Sequence, residues 1–129
     1  MAIELIKTGC CDGMAKKLLI VEDDPIIATD MELFFSDCGF DVVAVAHNVT
    51  TALAAIEERC PDIALLDFQL GQENSLEIAE TLDRMKIPFC FLTASSSAQL
   101  RHAIFPDAAI FSKPVRYERV VEHIAKYFT

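Results

Sequence analysis

The stretch that most constrains the fold is Ile63-Ala64-Leu65-Leu66-Asp67. Four apolar residues run without a break into an acid, with Pro61 before them and Gly71 after as turn residues. A continuous apolar run bounded by turn residues suits a strand covered on both faces, as in the middle of a parallel sheet. In open parallel sheets ligands bind outside the carboxyl ends of the strands. Asp67 is therefore expected at a functional mouth, where a buried strand meets solvent.

The remaining segments supply neighbours for that strand. Leu18–Val21, Asp41–Ala46, Asp62–Asp67, Pro88–Thr93 and Ala108–Ser112 read as five strands. Helices are expected from Pro25 to about Asp37, Val49 to Arg59, Ser75 to about Met85, Ala98 to about Ile104 and Tyr117 to Tyr127. Asp24 caps the first, with Pro25 in its first turn, and Ile26, Ile27, Met31, Leu33, Phe34 and Phe35 form its apolar side. Ser75 caps the third, and Pro106 stops the fourth. Strands alternating with helices give an α/β fold, a doubly wound five-stranded parallel sheet with five helices. Right-handed crossovers place every carboxyl end on one edge.

A chain of 129 residues holds one domain with a single core. Residues 1–15 read as an extension and 16–129 as the domain. The extension is compatible with an upstream start, an expression tail or a short arm packing on the domain. No apolar run approaches a membrane span and no signal peptide is visible, so a cytoplasmic protein is expected. The net charge of −9 argues against nucleic acid, which needs a basic footprint. The five cysteines fit no zinc spacing. Cys38, Cys60 and Cys90 read as core or boundary residues and Cys10-Cys11 as part of the extension. His47, His102 and His123 read as surface or boundary residues.

Polar groups follow four of the strands: Glu22-Asp23-Asp24, Asp67, Thr93 and Lys113. Each alone could be a solvated loop residue; that explains their joint placement poorly. Carboxylates within about 4 Å of each other repel by roughly 1–4 kcal/mol per pair, so Glu22, Asp23 and Asp67 call for a cation. Oxygen ligands without His or Cys point to Mg²⁺, which retains waters and often a phosphoryl oxygen. The Lys113 ammonium and Thr93 hydroxyl suit the equatorial oxygens of a transferring phosphoryl group. Asp67 is left as the nucleophile.

LLIVEDD, IALLD, FLTAS and FSKP, in this order and at these intervals, resemble the response-regulator receiver domain of two-component signalling, over Lys16 to Phe128. The resemblance implies a flavodoxin-like strand order of 2-1-3-4-5 and a single-domain, CheY-like protein. It makes Asp67 the phosphoacceptor and Glu22 and Asp23 the acidic pair, Asp23 binding Mg²⁺ directly and Glu22 through water. Gln69, two residues on, would offer its backbone carbonyl to the metal, while Asp24 remains a helix cap. Thr93 would be the switch hydroxyl, Lys113 the phosphate-binding lysine, Pro114 the cis proline and Ala94 a position kept small for the phosphoryl group. The implied donor is a histidine kinase or histidine phosphotransfer protein. With no further domain after Thr129, output would go by contact with a downstream protein, or the domain would serve as a relay or phosphate sink. A piece of a larger hybrid protein is equally compatible. No enzymatic turnover beyond self-catalysed transfer and autodephosphorylation is expected.

The sequence also departs from the family. An aromatic residue often stands three positions before the lysine; here it is Ile110, and Phe111 beside it points to the opposite strand face. The fourth helix is short and Ser-rich, and the loop after Asp67 lacks a frequent proline. An interaction module working without phosphate therefore stays open as an alternative. An aspartyl-nucleophile phosphatase is weaker, because Gln69 stands where that chemistry places a second Asp as general acid.

Overall fold

The computed structural model describes residues 15–94 and 104–128. Residues 1–14 of the expected extension, with Cys10-Cys11, and residues 98–103 of the helix expected from Ala98 to about Ile104, with His102, lie outside the described residues.

The elements are β1 (Lys17–Val21), α1 (Pro25–Asp37), β2 (Asp41–Ala46), α2 (Val49–Arg59), β3 (Ile63–Asp67), β4 (Gln69–Leu70), β5 (Glu73–Asn74), α3 (Leu76–Arg84), β6 (Phe89–Thr93), β7 (Ala109–Ser112) and α4 (Tyr117–Phe128). Five strands form one parallel sheet in the order β2-β1-β3-β6-β7. This is the doubly wound, flavodoxin-like order, with four helices among the described residues. Every residue of β3 and β6 is buried, whereas β2 and β7 lie at the edges and are partly exposed. The unbroken apolar runs thus mark the strands that helices cover on both sides.

Side-chain alternation splits the interior into two layers. Leu18, Ile20, Ile63, Leu65, Cys90 and Leu92 face α1 and α4. Leu19, Val21, Ala64, Leu66, Phe89 and Phe91 face α2 and α3. Burying a Leu or Phe side chain fully contributes roughly 1.5–3 kcal/mol, so both faces of the central strands stabilise the sheet. None of the described helices is long and apolar enough to cross a membrane.

Three expectations need correction. Ile26 and Leu33 do not belong to the buried side of α1; they are 80% and 68% exposed. The inward stripe is Ala28, Met31 and Phe35, three and four residues apart, and Ile26 and Leu33 lie one helical repeat apart on another face. Ser75 precedes α3, but its hydroxyl makes no capping bond. Its backbone, at φ −93° and ψ 14°, is not extended as a cap residue's is. Asn74 Oδ1 instead accepts from Leu76 N–H at 3.0 Å. The loop after Asp67 contains a hairpin: Gln69 pairs with Asn74 and Leu70 with Glu73. Gly71 opens its two-residue turn at φ 65°, the sign such turns demand. Cys38 and Cys90 are buried, while Cys60 is exposed.

Candidate functional site

The parallel registers set the site. Val21 lies beside Leu66, Asp67 beside Leu92 and Thr93 beside Ser112. Residues at or just beyond these positions emerge on one edge of the sheet: Glu22 and Asp23 after β1, Asp67 ending β3, Thr93 ending β6 and Lys113 after β7. A backbone bond from Lys113 N–H to the Thr93 carbonyl, 2.8 Å, keeps the last two side by side.

The side chains converge there. Lys113 Nζ is 3.2 Å from Asp67 Oδ1 and 3.4 Å from Glu22 Oε1. One carboxylate oxygen each from Glu22, Asp23 and Asp67 lies within 4.8 Å of the other two. Glu22, Asp67 and Thr93 are only 1%, 6% and 3% exposed, and Asp23 is open to solvent. A cavity of about 220 Å³ opens beside Glu22 and Lys113, between α1 and the segment after Lys113.

The electrostatics follow from burying acids together. Burial, and then the neighbouring Asp67, push the Glu22 carboxyl up to about 7 from 4.5, against the pull of the Asp24 backbone N–H. That N–H donates to Glu22 Oε2 at 3.2 Å. For Lys113, burial disfavours the charge, but Asp67 and Glu22 outweigh it and raise the ammonium's pKa.

This donor set fits a hard divalent cation. All the candidate ligands are oxygens, two of the acids are buried, and the Lys113 ammonium pairs with those two, Glu22 and Asp67. The exposed side at Asp23 leaves room for the waters that Mg²⁺ retains.

The other predicted positions are more spread. The Gln69 side chain turns away into the hairpin, its Nε2 donating to the Gly71 carbonyl at 2.7 Å and the Glu73 carbonyl at 3.2 Å. Ala94 is exposed directly after β6. Lys113-Pro114 is a cis peptide bond. Ile110 packs in the α2–α3 layer, while Phe111 packs in the α1–α4 layer against His123, ring centroids 5.8 Å apart. Asp24 accepts from Ile26 N–H at 2.9 Å, the geometry of a helix cap.

Two neighbours escape the sequence reading. His47 Nδ1 is 2.9 Å from the Glu22 carbonyl oxygen and, as its donor, ties the end of β2 to the acidic pair. Its place directly after a strand is the signal that could reveal it. The Gly71 N–H donates to Asp23 Oδ2 at 3.0 Å. That contact spans 48 residues and has no sequence signature.

Residues 18–125 match the response regulator receiver domain. This chain belongs to that family. It is 33% identical over 104 residues to the phyllosphere-induced regulator PhyR of Methylorubrum extorquens, covering 78% of this chain and 39% of that protein. It is 30% identical over 114 residues to the sensory transduction protein LytT of Bacillus cereus, covering 86% and 46%. The response regulator PhyR of Brucella abortus superposes with a TM-score of 0.75 at 31% identity, over 88% of this chain and 47% of that structure. A putative response regulator from Chloroflexus aurantiacus shares the fold, with a TM-score of 0.77 at 24% identity, over 89% and 98%. The chain spans less than half the length of these PhyR and LytT relatives. Receiver domains are regulatory modules that act with kinases or phosphotransfer proteins and generally bind Mg²⁺ at an acidic cluster; Glu22, Asp23 and Asp67 form such a cluster in this receiver domain.

Proposed function

We propose that this receiver domain accepts a phosphoryl group on Asp67 from a histidine kinase or histidine phosphotransfer protein, and signals by contact with a downstream protein in the cytoplasm. The receiver unit would span residues 16–129, preceded by an extension over 1–15. The observation that carries the reading is Lys113 Nζ at 3.2 Å from Asp67 Oδ1 inside the three-carboxylate cluster.

In the proposed transfer an Asp67 oxygen attacks the donor phosphorus, and the bond from phosphorus to the histidine nitrogen breaks. The Lys113 ammonium and Thr93 hydroxyl would stabilise the equatorial oxygens. Asp23, Asp67, Glu22 through water and the Gln69 backbone carbonyl would hold Mg²⁺. When bound, the ion would neutralise the crowded acids and the charge on the transferring group. Ala94, small and exposed directly after β6, would leave room for the phosphoryl group. The Gln69 amide, committed to the hairpin, offers no general acid for a phosphatase.

Incubation with acetyl phosphate and Mg²⁺, followed by intact mass spectrometry, tests this. One added phosphoryl group is expected on the wild type and none on Asp67→Asn. Phosphate on the variant would reject the assignment.

A phosphorylation-independent interaction module is the second reading, favoured by one observation. Ile110, aliphatic and packed in the α2–α3 layer, provides no aromatic rotamer for a switch beside Thr93. A partner whose affinity is the same before and after phosphorylation would support it.

A further inference from the structure

Asp23 is the exposed acid of the cluster, yet its carboxylate is held in place. The Gly71 N–H donates to its Oδ2 at 3.0 Å. Gly71 is itself held by the Gln69 side chain, whose Nε2 donates to the Gly71 carbonyl and, across the turn, to the Glu73 carbonyl. Leu70, buried in the α2–α3 layer, anchors the hairpin from below. A Cβ on Gly71 would meet nothing within 4 Å, so its φ of 65°, rather than space, calls for glycine there.

We propose that Gln69 is a positioning residue: by clamping the turn it aims the Gly71 amide at Asp23, and so orients the Asp23 carboxylate for a divalent cation. The proposal rests on the metal-dependent reading above and adds a role for a side chain that reading leaves idle. A carboxylate has about four lone-pair sites, so accepting one N–H leaves capacity for a metal. A bond from N–H to an ionised carboxylate is stronger than a neutral one, which suits it to fixing a single orientation. Groups that orient metal ligands commonly change metal affinity by about 10–100-fold when removed.

The test is calorimetric titration of the full chain with Mg²⁺, alongside hydrogen exchange of the Gly71 amide. Gln69→Met keeps size without a donor, and Gln69→Ala removes the clamp; both keep the backbone carbonyl. Each is expected to bind Mg²⁺ roughly tenfold more weakly than the wild type. The Gly71 amide should exchange slowly in the wild type and quickly in both variants and in Asp23→Ala. Affinity within about twofold of the wild type in folded Gln69 variants would remove the positioning role and leave the metal site standing. If the Gln69 variants fail to fold, the amide decides: exchange equally fast in the wild type and Asp23→Ala overturns the proposal. A wild type that binds no Mg²⁺ overturns the metal reading and this inference together.

Discussion

Lys113 Nζ lies 3.2 Å from Asp67 Oδ1 although 46 positions separate them in the chain (113 − 67). Two strand ends, on β3 and β7, make the contact, with β6 lying between them in the sheet. Replacing Lys113 by Ala leaves Asp67 and Glu22 without their cation. Loss of one preorganised charge donor typically slows a reaction by about 10²–10³-fold, so phosphorylation by acetyl phosphate should slow by roughly 100-fold. Both carboxyl partners are buried, so removing the cation beside them should also lower stability, on the order of 3 kcal/mol. Rate measurements with parallel urea unfolding check both. Wild-type kinetics in the variant would show that Lys113 does not act on the transferring group.

Glu22 makes stability depend on pH with an unusual sign. Its folded pKa, about 7, stands above the ordinary 4.5. Between those values the folded chain holds a proton that the unfolded chain releases, so stability falls as pH rises through this window. The penalty is absent below about 4.5 and complete above about 7, on the order of 3 kcal/mol. In EDTA, Glu22→Gln should match the wild type near pH 4.5 and exceed it in stability above pH 7. Chemical unfolding across the pH range reads this directly. Parallel curves for the two proteins would mean that Glu22 is not penalised by burial.

Asp24 stands beside the acidic pair, but its bonds to Ile26 N–H and Ile27 N–H serve α1. Asp24→Ala should therefore cost about 1 kcal/mol of stability. Asp24→Ser should restore most of it, because a hydroxyl can also accept from the first turn. Neither should change Mg²⁺ affinity more than about twofold, a surface charge effect. A large loss of Mg²⁺ binding in Asp24→Ser would make Asp24 a ligand.

The sheet is legible in the sequence because its central strands are covered on both faces. Ile63–Leu66 and Phe89–Leu92 must then be apolar at every position, and such runs stand out. That Glu22, Asp67 and Lys113 meet is legible for the same reason: handed crossovers put all strand ends on one edge. What the sequence hides lies where one residue type has several uses. Ile26 and Leu33 read as core, yet α1 needs only Ala28, Met31 and Phe35 inside. Ser75 reads as a cap, yet the turn geometry hands the bond to Asn74. The short strands at Gln69–Leu70 and Glu73–Asn74 hold no alternating run, because two-residue strands are too short to show one.

Mg²⁺ should bind the folded state alone, since only folding gathers Glu22, Asp23 and Asp67. By mass action a ligand at 100 times its dissociation constant adds about 2.7 kcal/mol of stability. For a domain of this size that corresponds to roughly 10 °C in melting temperature. The gain should shrink below pH 6, where Glu22 holds its proton and the cluster carries less negative charge. Asp23→Asn should abolish most of it, because an amide cannot replace the charge of the exposed acid. Scanning calorimetry with and without Mg²⁺ at pH 5.5 and pH 8 separates these expectations. Equal melting temperatures with and without the ion at pH 8 would show that crowding the three acids does not create a metal site.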